Sequence, residues 1–305
     1  MKILVFGSNG LVGSSLKRIL PKFFKNEEII FSTRKDADLF SYNETENLIT
    51  HISPNIIINA AARVGGIYAN NTNRTDFLIE NLKINLNILE STKKLNNLKI
   101  INLGSSCIYP LNAENPIKEE YLLTGKLEPT NSPYALAKIT AIELGNALRK
   151  EFNHKVINLM PTNLYGPNDN FSNKYSHVIP GLIKRMHDAK TNDLDVFKIW
   201  GSGKPLREFL FVDDLAECIA YLLDNDIDID LLNVGSGEEI SILDLAKKIK
   251  DLIGFKGKLS FDSKMPDGNP RKLLDSSKLN ALGWEPKVAL DDGLSLTYKW
   301  YKKNY

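Results

Sequence analysis

The chain is short of the residues that build covalent or metal cross-links. It has two cysteines, Cys107 and Cys218, and four histidines in 305 residues. That is too few for a disulfide framework, and no His/Cys/Asp cluster has metal-ligand spacing, so no metal site is expected. It also lacks an excess of one charge. The formal net charge is +2, with Lys and Arg interspersed among Asp and Glu, and without a block of like charges neither nucleic acid nor a membrane surface is an expected partner. Long apolar runs are missing as well. Ile3-Leu4-Val5-Phe6 stops at Gly7, short of a signal-peptide core, and no stretch approaches the ~18 apolar residues of a transmembrane helix. Few cysteines and no export signal make the cytoplasm the expected location. The remaining composition, 43% hydrophobic and 25% charged, is enough for one large core or two unequal domains.

Strand-length apolar runs alternate with helical periodicity through the first half, the pattern of a doubly wound parallel sheet with helices on both faces. Strands are predicted at 2–6, 28–32, 56–60, 99–103 and 155–160, and helices at 11–20, 76–95 and 134–152. Asn, Pro and Gly crowd 161–174, which reads as a functional loop. Beyond it, helices are predicted at 179–190, 213–223, 242–253 and about 290–301, with strands at 196–200, near 231 and at 258–261. Cys218 falls on the apolar side of the 213–223 helix and reads as core packing. The last pieces, after about 231, look too small for a core of their own and are expected to cap the strand ends of the first domain.

Gly7-Ser8-Asn9-Gly10-Leu11-Val12-Gly13 follows the first strand and opens the first helix. Three glycines alone say little, but in this strand-turn-helix setting they let backbone N–H groups and a helix N-terminus meet a pyrophosphate. The second strand ends in Phe31-Ser32-Thr33-Arg34-Lys35, without the acidic residue that takes a ribose 2′-hydroxyl in an NAD site. Arg34 can pair bidentately with a 2′-phosphate, so NADP is expected over NAD; otherwise Arg34 and Lys35 are solvated turn residues. Asn59-Ala60-Ala61-Ala62 offers small side chains where a cofactor can lie close to the backbone.

The chemistry is concentrated in Gly104-Ser105-Ser106-Cys107-Ile108-Tyr109 and Tyr134-x-x-x-Lys138. A Tyr and a Lys four apart share a helix face, and an ammonium close to a phenol favours the phenolate, so the phenol becomes a better proton donor or acceptor near neutral pH. The Ser105 hydroxyl could complete a donor set for a carbonyl oxygen. Ketone reduction asks nothing of Cys107, so this thiol suggests a second chemistry, although a Cys at a strand end is more commonly a small buried hydrophobe.

In this order the motifs resemble the extended short-chain dehydrogenase/reductases. Several narrow the resemblance to the GDP-L-fucose synthases: Ala61-Ala62-Arg63-Val64-Gly65-Gly66-Ile67-Tyr68-Ala69-Asn70-Asn71, the Ser-Ser-Cys segment, Glu128-Pro129-Thr130-Asn131, Pro161-Thr162-Asn163-Leu164-Tyr165-Gly166-Pro167, Ser176-His177-Val178-Ile179-Pro180, Trp200-Gly201-Ser202-Gly203 and Pro266-Asp267-Gly268. The resemblance runs nearly end to end. It implies a Rossmann-type NADP-binding domain over 1–163 and about 206–233, and a smaller α/β domain for the nucleotide-sugar over about 164–205 and 234–305. It also implies a homodimer formed through two long helices, here those at 76–95 and 134–152.

The activity implied is epimerisation of a GDP-4-keto-6-deoxy-mannose at C3 and C5, then reduction of the C4 ketone with NADPH. Tyr134 is implied as proton donor, Lys138 as its partner and a cofactor-ribose ligand, Ser105 as a carbonyl hydrogen-bond donor, and Cys107 and His177 as the epimerising pair. The chemistry agrees, because the ketone acidifies the hydrogens on both flanking carbons. A thiol with an ordinary pKa near ~8.5 is mostly protonated at neutral pH, so Cys107 needs a cationic neighbour or a helix terminus; His177 can hold or release a proton near pH 7. Cofactor contacts are implied for the whole turn from Gly7 to Gly13, for Arg34, Asp38 and Leu39, and for Ala60 and Ala61. Further along they are implied for Leu103, Gly104, Ser105 and Lys138, and for Pro161, Asn163, Leu164 and His177. For the GDP-sugar the candidates are Cys107, Asn163, Arg185, Trp200, Arg207, Asp267 and Lys272, the arginines suiting diphosphate oxygens.

Asn9 departs from the pattern, since the relatives commonly carry an Arg there to help hold the 2′-phosphate. Other functions remain in competition. A C4 reductase without epimerase activity, on a GDP-4-keto-hexose or GDP-4-keto-heptose, would keep the same motifs. A C4 epimerase recycling bound NAD fits poorly with the missing acid after the second strand, and a non-catalytic nucleotide sensor would not need Ser105, Tyr134 and Lys138.

Overall fold

The computed structural model describes residues 1–305 except Lys174 and Pro266, so the end of the predicted 161–174 loop and the first residue of the Pro266-Asp267-Gly268 motif lie outside the described residues. In β1 (Lys2–Phe6) every residue from Ile3 onward is buried, as a central parallel strand covered on both faces requires. The chain continues through α1 (Leu11–Phe23), β2 (Glu28–Phe31), α2 (Tyr42–Ile52), β3 (Ile56–Asn59), α3 (Ile67–Thr72), α4 (Arg74–Ser91), β4 (Lys99–Leu103), α5 (Ser132–Phe152) and β5 (Lys155–Pro161). After these come β6 (Asn163–Tyr165), α6 (Val178–Thr191), β7 (Val196–Trp200), β8 (Leu206–Phe211), α7 (Val212–Asp224) and β9 (Leu231–Val234). The last elements are β10 (Glu239–Ser241), α8 (Ile242–Ile253), β11 (Lys258–Asp262), α9 (Ser277–Ala281) and α10 (Leu290–Asn304).

Six strands form an all-parallel sheet in the order β2-β1-β3-β4-β5-β9. The chain leaves β1 towards β2 and returns to β3 on the other side, which opens a crevice at the carboxyl ends of β1 and β3. Smaller sheets, β10-β8-β6 and β11-β7, lie beyond β5 in sequence. Cys218 is buried in the core between the large sheet and α1 and α7. No helix among the described residues is long and apolar enough to cross a membrane.

Several expectations need correction: β6 falls inside the segment predicted as a loop at 161–174, and α3, β10 and α9 were not predicted. Helix α2 was not predicted, although Ser41 caps it by accepting from the Glu44 N–H at 3.4 Å, an S-x-x-E start that the sequence carries openly. Strand β8 was not predicted either. It sits where the two cores meet, with Leu210 in the sheet core and Phe209 and Phe211 in another. Finally, the C-terminal pieces do more than cap strand ends. Leu245, Ile249 and Ile253 of α8 and Leu294, Tyr298 and Tyr301 of α10 pack with Ile179, Leu182 and Ile183 of α6 as a second core. Each piece is too short alone, but pooled with the segment before α7 they bury enough apolar surface.

Candidate active site

The predicted cofactor residues converge on one edge of the large sheet. Gly7 to Gly13 follow β1, Arg34, Asp38 and Leu39 follow β2, and Ala60 and Ala61 follow β3. Leu103 and Gly104 close β4, and Pro161, Asn163 and Leu164 lie at the end of β5 and in β6. Gly7 has φ +76°, and a Cβ there would stand 2.6 Å from the Ala60 carbonyl; a Cβ on Gly13 would run into the Gly7 carbonyl oxygen. These positions therefore require glycine. Gly10 is the N-cap of α1 with no side-chain cap, so the first-turn N–H groups remain available to an anion. This uncapped, close-packed cradle fits a dinucleotide. Arg34 is exposed and pairs with no carboxylate among the described residues, whereas Asp38 accepts from the Phe40 N–H at 3.0 Å.

Beneath the site runs a buried asparagine ladder that sequence reasoning missed. Asn59 Nδ2 donates to Asn102 Oδ1 at 3.1 Å and Asn102 Nδ2 to Asn158 Oδ1 at 2.9 Å, across three adjacent strands. Asn59 Oδ1 also accepts from the Ala61 N–H at 3.2 Å, shaping the turn after β3. Its signal was present as one Asn in each of three apolar strand runs. Buried amides persist only when paired, so each strand end is held in register with the next.

Ser105 starts a single 3₁₀ turn, Ser106–Ile108, and its Oγ accepts from the Cys107 N–H at 3.2 Å. The Tyr134 phenol, on α5, neighbours Ser105 and Cys107, with the Phe77 ring edge-on at 6.3 Å. Burial, then the nearby Cys107, push this phenol above its ordinary value, and Ser105 offsets them only in part. The expected shift towards phenolate is thus reversed. Lys138 is 2% exposed; its ammonium donates to the Leu103 carbonyl at 2.7 Å and stands 5.7 Å from the Tyr134 ring centroid. Burial brings Lys138 down to about 8. At pH 7 the pair is therefore a neutral phenol beside an ammonium.

Cys107 is half-buried between two donors: Lys272 Nζ at 3.3 Å and Asn131 Nδ2 at 3.5 Å. The cation that a reactive thiol needs is supplied from a segment distant in sequence. Lys272 is fixed because the Leu274 N–H donates to Glu208 Oε2 at 3.1 Å, while Gly237 donates to Glu208 Oε1 at 2.8 Å. Glu208 is fully buried and its carboxyl is pushed up by that burial. Asn131 is set by Glu128, which accepts from its N–H at 3.1 Å, and its own Oδ1 is buried without a partner among the described residues. Asn131 and Glu208 were not among the predicted site residues. Their signals were a motif asparagine two residues before Pro133 and a carboxylate inside an apolar run.

His177 is the N-cap of α6, half-buried, and burial lowers its imidazole. It makes no hydrogen bond to Cys107, so those two are not joined directly. The loop that carries it is tied to the motif after β3 by the Gly66 N–H, which donates to the Tyr175 carbonyl at 3.2 Å. On the other side of that motif, a Cβ on Gly268 would meet Ile67 at 2.8 Å and Arg207 at 3.4 Å. Arg207 Nη2 donates to the Asp267 carbonyl at 3.1 Å, and burial brings the guanidinium below its ordinary value. Asp267 in turn accepts from Ser202 N at 2.7 Å and Oγ at 2.8 Å, so its carboxylate shapes the Gly201-Ser202 turn. Arg185 lies over the Trp200 ring at 4.4 Å and is brought down to about 10 by burial, still a cation. Asn163 Nδ2 donates to the Glu208 carbonyl at 2.8 Å. Among the predicted substrate residues, Cys107 thus meets Lys272, Arg207 meets Asp267 and Arg185 meets Trp200.

The family model for the NAD dependent epimerase/dehydratase family matches residues 3–235. GDP-L-fucose synthase 1 of Arabidopsis thaliana is 49% identical over 304 residues, covering 99% of this chain and 94% of that protein. The chain belongs to the NAD dependent epimerase/dehydratase family, and within it to the GDP-L-fucose synthase family. Two solved structures are similar throughout. A GDP-6-OMe-4-keto-L-xylo-heptose reductase from C. jejuni has TM-score 0.93 at 32% identity, covering 100% of this chain and 98% of that one. A GDP-L-fucose synthetase from Naegleria fowleri bound to NADP has TM-score 0.89 at 31% identity, covering 100% and 93%.

One residue of this fucose-synthase-family chain invites a stability test. Asp169, in the loop after β6, is 7% exposed, its Oδ2 has no partner among the described residues, and burial pushes its carboxyl up to about 7. Because the folded value lies above the ordinary 3.8, the folded state binds the extra proton, and stability is lost as pH rises from about 4 through about 7. Asp169→Asn should flatten that loss: its Tm gain over wild type should be larger at pH 8 than at pH 5. Equal gains would mean that the carboxyl titrates normally.

Proposed function

We propose that this protein reduces the C4 ketone of a GDP-4-keto-6-deoxy-hexose with NADPH, after epimerising C3 and C5. The observation that carries the reading is the 3₁₀ turn that seats Cys107, with an ammonium at 3.3 Å, two residues from the Ser105 that neighbours Tyr134. One ketone can then be served by both chemistries. NADPH, when bound, supplies the hydride to C4. Ser105 donates to the carbonyl oxygen, and Tyr134, kept protonated by burial, gives its proton to that oxygen as the alcohol forms. The Lys138 ammonium stabilises the phenolate left behind, and Tyr134 takes its proton back from solvent. Before reduction, Cys107 takes the proton from a carbon next to the ketone. The enolate oxygen stays on Ser105 and Tyr134, and His177 returns a proton to the opposite face. Each epimerisation therefore exchanges one proton and leaves the redox state unchanged.

Arg207 and Arg185 are the diphosphate candidates, with Trp200 beside them for the base. The two cores support a division into a cofactor domain, 1–163 plus about 206–233, and a substrate domain, about 164–205 plus 234–305, with β6 and β8 at the border. Exposed Ile79 and Leu86 on α4 and Leu136 on α5 support a homodimer built on that helix pair. Free thiols at both cysteines suit a reducing compartment, the cytoplasm.

The similarity to the C. jejuni heptose reductase favours a second reading, C4 reduction alone. Incubation with GDP-4-keto-6-deoxy-hexose or a GDP-4-keto-heptose and NADPH in D2O separates the two. Deuterium at C3 and C5 of the hexose product is expected; NADPH consumption without it would leave only the reductase.

A further inference from the structure

Lys17 projects from α1, is exposed, and pairs with no carboxylate among the described residues. Its neighbour Arg18 is already engaged by Asp213 and the Ser14 carbonyl. Lys17 Nζ instead donates to Asn9 Oδ1 at 3.0 Å and stands 6.0 Å from the ring centroid of Phe31, the last residue of β2. Helical side chains lean towards their N-terminus, so a positive charge is carried back over the glycine turn. The Ser8 N–H, donating to the Ser32 carbonyl at 3.4 Å, ties that turn to the end of β2. Arg34 lies two residues further on, also uncommitted, whereas Lys35 acts on Asp36. Two free cations thus border the junction of the glycine turn and β2, and no acidic side chain from either segment neutralises them.

In a strand-turn-helix dinucleotide site the adenosine ribose lies between the glycine turn and the end of the second strand. We infer that Lys17 is a specificity-determining residue, which together with Arg34 holds the 2′-phosphate of NADP. Asn9 is its uncharged resting partner: it orients the ammonium without neutralising it, and gives it up when a phosphate oxygen offers a charge-assisted bond. The 2′-hydroxyl of NAD offers no charge and leaves Lys17 on Asn9. This inference rests on the NADPH reading above.

Calorimetric titration of NADPH and of NADH into wild type, Lys17→Gln and Arg34→Gln tests it, with thermal melting of each apoprotein as the check on folding. Lys17→Gln should weaken NADPH about tenfold, the size of one charged hydrogen bond, with NADH unchanged. Added salt should narrow the wild-type advantage for NADPH. A Lys17→Gln protein that binds NADPH like wild type, or loses both cofactors equally, overturns the inference. If Arg34→Gln loses NADPH while Lys17→Gln does not, NADP preference stands and Lys17 is excluded. If wild type binds both cofactors equally, the NADPH reading fails too.

Discussion

Tyr134→Phe should lower kcat for ketone reduction about a thousandfold, the middle of the range for a positioned general acid. Cofactor and GDP-sugar affinities should stay within about twofold of wild type, since the lost group acts only as the alcohol forms. The phenol is held protonated by burial, Ser105 lies beside it, and the ring is seated against Phe77. Phe keeps that packing and removes only the O–H. Lys138 sets the alkaline limb: with its ammonium down at about 8 by burial, the rate should hold through neutrality and fall above about pH 8 as the charge is lost. Single-turnover kinetics over pH 6–9 measures both effects. A Tyr134→Phe enzyme with near wild-type turnover would remove Tyr134 from the chemistry.

The second large effect is expected at Cys107. Cys107→Ser keeps a small polar side chain that can still accept from Lys272 and Asn131, but an alcohol is a far poorer base source than a thiol. Deuterium incorporation at C3 and C5 should fall by at least about a hundredfold, the lower bound for losing a general base. Reduction should continue on the unepimerised ketone and yield a C4 alcohol unchanged at the flanking carbons. Mass spectrometry and NMR of the product in D2O read the two halves apart. Wild-type exchange in Cys107→Ser would show that the sulfur takes no part; loss of reduction and exchange together would point to a positioning role for the sulfur.

Much of the sheet was legible because its signals are local. An apolar run buried on both faces must be written as Ile-Ile-Ile or Ile-Leu-Val, and a turn where a Cβ would strike Ala60 must be written as glycine. Strand β8 escaped because Arg207 and Glu208 interrupt its apolar pattern. Those charges make sense only once Asp267, Gly237 and Leu274 come together around them. The residue pattern did not show the second core, because its contributors lie between Tyr165 and Tyr301, with α7 and β9 of the first core in between; a smaller domain over those segments was implied only by the resemblance.

The residue types alone therefore determine the fold class, the glycine cradle and the Ser105, Tyr134 and Lys138 set, since each depends on neighbours within a turn or a strand. Only the tertiary structure decides the state of those groups. Tyr134 stands above its ordinary value because burial and the neighbouring Cys107 outweigh the influence of Ser105, while the Lys138 ammonium is directed to the Leu103 carbonyl. Cys107 meets its cation because Glu208 holds the segment carrying Lys272, 165 residues away along the chain. Desolvation and long-range contact are properties of the packed molecule, and no spacing in the sequence encodes them.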